Sequence, residues 1–353
     1  MTPTKNSKNS KNSINSTKSM ISILLVFLLL SLTACSSRAN SNQVNAQPAT
    51  SSEKELQELS IMLDWYPNAV HSFLYSAQKN GYFAEQGLEV NIQMPAETND
   101  SLKLVAAGKV DLALSYQPQV LMARGENIPV KSIAAIVRHP LNHLMVPVGG
   151  KVKSPKDLIG ANVGYSSIPL YEAMVHTMIK NDGSASENVN MIDVGYDLIP
   201  SIATSKVDAI MGGFINHEQL ILAKQGHPML SLNPTEYGVP DYYELVLVAS
   251  DHGLKGKTEL LTKFVAAIRE GQQYVQQHPD QALSVLFEHE DQTSPLDKEI
   301  ETKSLKILLP LMDAKDQPFG YQAPESWESV NQWLMTNKLL SNSINTNDAF
   351  INL

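Results

Sequence analysis

A chain of 353 residues, 43% hydrophobic and 18% charged, exceeds what one comfortable core organises and points to a globular body of two lobes. Its 36 acidic residues against 27 basic ones argue against nucleic acid or a polyanionic membrane surface as partner. Cys35 is the only cysteine, which excludes an internal disulfide framework.

The chain opens on an export signal. Lys5, Lys8, Lys11 and Lys18 form a basic leader, and Ile21 to Leu32 is an apolar run too short for a comfortable permanent span. The run ends in Leu32-Thr33-Ala34-Cys35, the lipobox pattern, where small residues admit the signal peptidase and the thiol takes a diacylglyceryl group. A signal peptide over 1–34 and a lipid on Cys35 are expected, placing the protein on the extracytoplasmic face of a membrane. Cleavage removes four lysines and leaves a net charge of −13, from 23 basic and 36 acidic residues. Residues 35–56, rich in Ser, Asn, Gln and Ala, read as the lipidated end of a flexible tether.

The folded body begins with the apolar positions Leu59, Ile61 and Leu63 of a strand, which runs into Asp64-Trp65-Tyr66-Pro67-Asn68. A helix from about His71 to Asn80 closes at Gly81. Strands are predicted at Leu88 to Met94, Asp111 to Tyr116 and Val130 to Val137, separated by helices at Leu102 to Gly108 and Pro118 to Gly125. Ser154-Pro155-Lys156-Asp157 is a helix start with an N-cap serine and proline at the first helical position. Further strands are predicted at Asn162 to Tyr165, Val189 to Val194, Asp208 to Gly212 and Leu245 to Ala249. The remaining helices are Lys257 to Gln277, Asp280 to Glu288, Ile300 to Leu309 and Pro324 to Asn337, whose periodic apolar positions belong to the core. This alternation implies α/β layers with largely parallel sheets.

An internal echo supports two lobes. Ala106-Ala107-Gly108-Lys109-Val110-Asp111 is matched by Ala203-Thr204-Ser205-Lys206-Val207-Asp208. In both, a helix ends and a Lys-Val-Asp turn leads into a strand, so the strand ends at Ser115-Tyr116 and Gly212-Gly213 fall on a shared cleft. The first crossing is expected near His143 to Val148 and the return near Leu245 to Ala249. Lobe one would then be 57–147 plus 246–353, and lobe two 148–245.

Aromatic faces beside hydrogen-bonding side chains mark the candidate binding residues Asp64, Trp65, Asn68, His71, Tyr116, Asn216, Tyr243 and Glu244. Trp65 is a stacking wall. Glu244, entering the apolar run Leu245-Val246-Leu247-Val248-Ala249, is a carboxylate placed to accept N–H groups of a ligand, the alternative being a salt bridge to a nearby lysine or arginine or exposure at the strand end. No metal or cofactor is expected: Pro140 interrupts His139 and His143, and His217-Glu218 lacks further ligands at recognisable spacing.

The Trp-Tyr-Pro-Asn loop, the Asn216-His217-Glu218 segment and Tyr243-Glu244 resemble the solute-binding proteins of ABC importers, in the branch that binds pyrimidine precursors of thiamine (the ThiY type). The resemblance implies a two-lobed periplasmic-binding-protein fold of type II, with mixed sheets flanked by helices and the ligand cleft between lobes. It implies binding without catalysis, a formylaminopyrimidine or aminomethylpyrimidine ligand, and an ABC permease and its ATPase as partners. Two alternatives stay open: a binding protein for an alkanesulfonate or other small solute, and an enzyme resembling hydroxymethylpyrimidine phosphate synthase, which shares the fold.

Overall fold

The computed structural model describes residues 55–96, 101–185, 188–290, 292 and 295–353. The leader, the lipobox with Cys35 and nearly all of the tether lie outside the described residues. Ten strands run in chain order: β1 Gln57–Met62, β2 Leu88–Gln93, β3 Leu112–Ser115, β4 Val130–Val137, β5 Leu144–Pro147, β6 Asn162–Tyr165, β7 Asn190–Asp193, β8 Ala209–Met211, β9 Met229–Leu232 and β10 Leu245–Ser250. The helices are α1 Ser72–Lys79, α2 Tyr82–Glu85, α3 Ser101–Ala106, α4 Gln117–Gly125, α5 Leu170–Asn181, α6 Leu198–Ala203 and α7 Glu218–Lys224. Then follow α8 Asp251–Gln277, α9 Pro279–Phe287, α10 Lys298–Met312 and α11 Pro324–Thr336.

The strands form two five-stranded sheets with the same topology, β2-β1-β3-β10-β4 and β7-β6-β8-β5-β9. In each, three strands are parallel and the fourth in order is antiparallel to both neighbours. That fourth strand, β10 or β5, is the one delivered by a crossing from the other lobe. The sheets are therefore mixed rather than largely parallel, because each receives a strand from outside its own α/β run.

The Lys-Val-Asp echo is structural. Gly108 and Ser205 both adopt positive φ, +66° and +57°, as the helix ends, and Lys109 N and Lys206 N bond back to Leu104 O and Ser201 O. Asp111 then accepts from Ser60 N at the start of β1's pairing, and Asp208 accepts from Asn162 N in β6, each at 2.9 Å. One correction concerns the lobe boundary. Leu144–Pro147 pairs with β8 and β9 of the second sheet, so the first crossing precedes Leu144 instead of following Pro147. The return falls before Leu245, whose strand pairs with β3 and β4.

Leu59, Ile61, Leu112, Leu114, Val246 and Leu247 are buried at the centre of the first sheet. The helix predicted from Lys257 starts earlier, at Asp251, with a break in helical geometry at Lys257 (φ −131°, ψ 23°). Its middle lies so close to α1 that a Cβ on Gly271 would sit 2.3 Å from Phe73 O. In the second lobe Met145, Ile202, Ile210 and Leu222 form a separate cluster beneath α6 and α7.

Candidate functional site

The carboxyl ends of β1 and β3 face those of β6 and β8 across a narrow cavity lined from both lobes. Beyond β1, Asn68 starts a short turn of 3-10 helix: its Oδ1 accepts from Val70 N at 3.0 Å, and its backbone N–H donates to His71 Nδ1 at 3.2 Å. Because Nδ1 accepts, His71 carries its proton on Nε2, which donates to Asp64 Oδ1 at 2.9 Å. Tyr116 Oη donates to the other oxygen, Asp64 Oδ2, at 3.2 Å. Burial raises the Tyr116 phenol well above its usual range, and Asp64 adds to the effect, so the hydroxyl stays a donor. Asp64 is thus oriented from behind while lining the cavity with Trp65, Asn68 and Tyr116.

The second lobe supplies Ser166 and Ile168 after β6, Tyr171 on α5, and the turn after β8. Gly212 has φ +107°, and a Cβ there would lie 2.7 Å from Ser166 Oγ and 2.9 Å from the Tyr171 ring. Phe214 N donates to Glu218 Oε2 and His217 Nδ1 meets Glu218 Oε1, each at 2.8 Å. Burial pulls the His217 imidazole down, but the Glu218 and Glu301 carboxylates outweigh it and hold its pKa above the usual value. Burial likewise pushes Glu218 up, and His217 with the Phe214 amide outweighs that to leave it lowered. The two form a charged pair in the cavity wall. Asn216, nearly fully buried, donates from Nδ2 to Ser304 Oγ on α10 at 3.0 Å, while its Oδ1 has no partner.

Both lobes meet at aromatic contacts. Trp65 lies 4.4 Å from Tyr196, centroid to centroid, and Tyr116 meets Phe214 edge-on at 6.4 Å. Of the expected site residues, Asp64, Trp65, Asn68, Tyr116 and Asn216 line the cavity; His71, Tyr243 and Glu244 do not. His71 is fully buried behind Asp64. Tyr243 turns its ring under the Arg138 guanidinium, 5.2 Å away, and its Oη accepts from Ala323 N.

Glu244 is the larger correction. Its Oε2 accepts from Leu141 N at 2.8 Å, Asn142 N at 2.9 Å and Tyr242 Oη at 3.1 Å. It ties the two crossings together, and Asn142 Oδ1 continues the chain of bonds to Gly212 N at 2.7 Å. Burial pushes its carboxyl up to about 7, against an ordinary 4.5. The buried acid's reason is a backbone pair in the opposing crossing, which sequence spacing does not reveal. Ser166 and Tyr171 were missed outright, yet Ser166 follows β6 as Asp64 follows β1, so the echo carried the signal. Among the described residues, no group of three His, Cys, Asp or Glu side chains could hold a metal ion.

A family model described as NMT1/THI5 like matches residues 68–282, more than half the chain. The chain belongs to this family. It is 44% identical over 308 residues to a formylaminopyrimidine-binding protein of Halalkalibacterium halodurans, covering 87% of this chain and 93% of that one. A 4-amino-5-hydroxymethyl-2-methylpyrimidine phosphate synthase of Saccharomyces cerevisiae is 28% identical over 237 residues, 64% of this chain and 69% of the synthase. In fold the chain is similar to the alkanesulfonate-binding protein of Xanthomonas axonopodis pv. citri, with a TM-score of 0.66 and 11% identity over 85% of this chain and 99% of that one. The mixed sheets and the shared topology of the lobes are those of a periplasmic-binding-protein fold.

Proposed function

We propose that this chain is the capture subunit of an ABC importer for a thiamine pyrimidine precursor, of the formylaminopyrimidine or aminomethylpyrimidine type. One observation carries the reading: a carboxylate from each lobe, Asp64 and Glu218, lines one cavity whose described lining contains no lysine or arginine. Such a wall asks for N–H donors, which an aminopyrimidine's exocyclic amine and protonated ring nitrogen supply. The unpaired Asn216 Oδ1 adds a third acceptor, and a ring can stack on Trp65. A sulfonate would instead face two carboxylates, with the one cationic group of the lining, His217, already paired to Glu218.

Binding without turnover is favoured because the relative at 44% identity, matched over nearly the whole chain, is named for binding. The permease and ATPase of an importer are the partners this role requires. A lipid on Cys35 would hold the receptor near them and raise its effective concentration. Titration calorimetry with 4-amino-5-aminomethyl-2-methylpyrimidine, its N-formyl derivative and an alkanesulfonate tests the reading. Pyrimidine binding without sulfonate binding is expected, and the reverse pattern would reject it.

A further inference from the structure

Helix α10 reaches both walls of the cavity from one face. Glu301 and Ser304, one turn apart on that face, are both buried. Glu301 Oε2 accepts from Ala69 N at 2.7 Å, in the first-lobe turn that begins at Asn68. Its carboxylate also interacts electrostatically with His71 of the first lobe and His217 of the second. Ser304 Oγ accepts from Asn216 Nδ2 at 3.0 Å, in the second-lobe turn after β8. Nearer the surface, Lys224 of α7 meets Asp297 at 2.6 Å and Glu299 at 3.3 Å. Since α10 packs on α9 and the turn after Asn68, the bonds from Asn216 and Lys224 cross from one lobe to the other.

Asn216 differs from Lys224 in that it also lines the ligand cavity. It is 1% exposed, with Nδ2 on Ser304 and Oδ1 unpartnered. A buried acceptor without a donor opposes the meeting of the lobes, whereas with the lobes apart water serves both ends of the amide. A ligand N–H brought to Oδ1 removes that opposition. It is a contact available only with the lobes together, which is what a ligand needs in order to favour that state.

We propose that Ser304 is a positioning residue for ligand capture: it fixes the Asn216 amide across the cleft with Oδ1 as acceptor for a ligand N–H, so that recognition and lobe closure are one step. The inference rests on the reading of an N–H-donating ring and adds the residue through which closure depends on that ring. The exposed pairs of Lys224 are screened by solvent and contribute little. Without the Ser304 hydroxyl, the amide is free to turn its NH2 end toward the ligand's own donors, and the closed complex reopens sooner. Encounter with separated lobes does not use this bond, so the effect falls on dissociation.

Stopped-flow fluorescence on the whole chain, with Trp65 in the cavity lining as reporter and the N-formyl derivative of 4-amino-5-aminomethyl-2-methylpyrimidine as probe, separates the two rates. Ser304→Ala, which keeps a good helix former in α10, should release the probe about tenfold faster, the scale of one hydrogen bond, with association within about twofold. Added to Asn216→Ala, the same change should have no further effect, because the hydroxyl acts through the amide; a hydroxyl with only a structural role would cost the same in both backgrounds. Lys224→Met should leave both rates within about twofold. An unchanged dissociation rate in Ser304→Ala, a loss carried by association, a further loss in the Asn216→Ala background, or a larger loss in Lys224→Met overturns the assignment while leaving the ring reading standing. Failure of the wild type to bind the probe overturns both.

Discussion

The two lobes repeat one frame and furnish it differently. The strand pairings Ile61 with Leu112 and Val163 with Ala209, and the aspartate bonds to Ser60 and Asn162, put Asp64 of the first lobe where the second has Ser166. By the same register Ser115 corresponds to Gly212 and Tyr116 to Gly213. The first lobe thus places its carboxylate and a large phenol directly at the strand ends. The second keeps its strand ends small and delivers its carboxylate from the following turn, on Glu218. The repeat brings the strand ends of both lobes to one cavity, and the unlike residues set the chemistry of its lining.

The largest expected break in this comparison is at Gly212. Gly212→Ala adds a Cβ 2.7 Å from Ser166 Oγ in a left-handed backbone, where strain and overpacking together should cost about 2–4 kcal/mol of stability. Ser115→Ala at the matching position should cost far less, about 1 kcal/mol for its side-chain hydrogen bond to Gln119. Urea denaturation of both variants reads the asymmetry, and equal losses would mean that the lobes are not differently built there.

The crossings join the lobes through Glu244, and they should respond to pH. The folded-state pKa is raised to about 7 from 4.5, so its contribution to stability is complete below 4.5 and is lost as pH rises to about 7. The difference corresponds to about 3 kcal/mol at this order of magnitude. Glu244→Gln keeps an acceptor for Leu141 N and Asn142 N, and should flatten the stability profile between pH 5 and 8 relative to the wild type. A variant whose profile stays parallel to the wild type would show that Glu244 is not the titrating group.

The helix ends of the echo offer the smallest and cleanest test. Gly108→Ser puts a side chain at φ +66°, costing about 1 kcal/mol, whereas Ser205→Gly at φ +57° removes a comparable penalty from the second lobe. Thermal unfolding should move in opposite directions for the two.

Much of this architecture was legible beforehand. β1, β2, β3, β4, β6, β7, β8 and β10 announce themselves as short apolar runs between turn signals, and Ser154-Pro155 marks a real helical turn with a capping box. β5 and β9 did not: each has four residues, and what makes them strands is pairing with each other in the second sheet. The site divided similarly. Asp64, Trp65, Asn68 and Tyr116 follow strands that the sequence reveals, so the strand-end rule brings them to the cavity lining. Glu244 looked like a ligand-facing acid because sequence shows a carboxylate entering a buried strand without showing the two amides of the opposing crossing that receive it.

That distinction sets the decisive measurement, the affinity of an aminopyrimidine for Glu218→Gln and Glu244→Gln beside the wild type. Losing a charged acceptor in the cavity wall should cost Glu218→Gln about 1.5–3 kcal/mol of binding. Glu244→Gln, outside the cavity lining, should leave binding close to that of the wild type. A large loss in Glu244→Gln with Glu218→Gln unaffected would contradict the account.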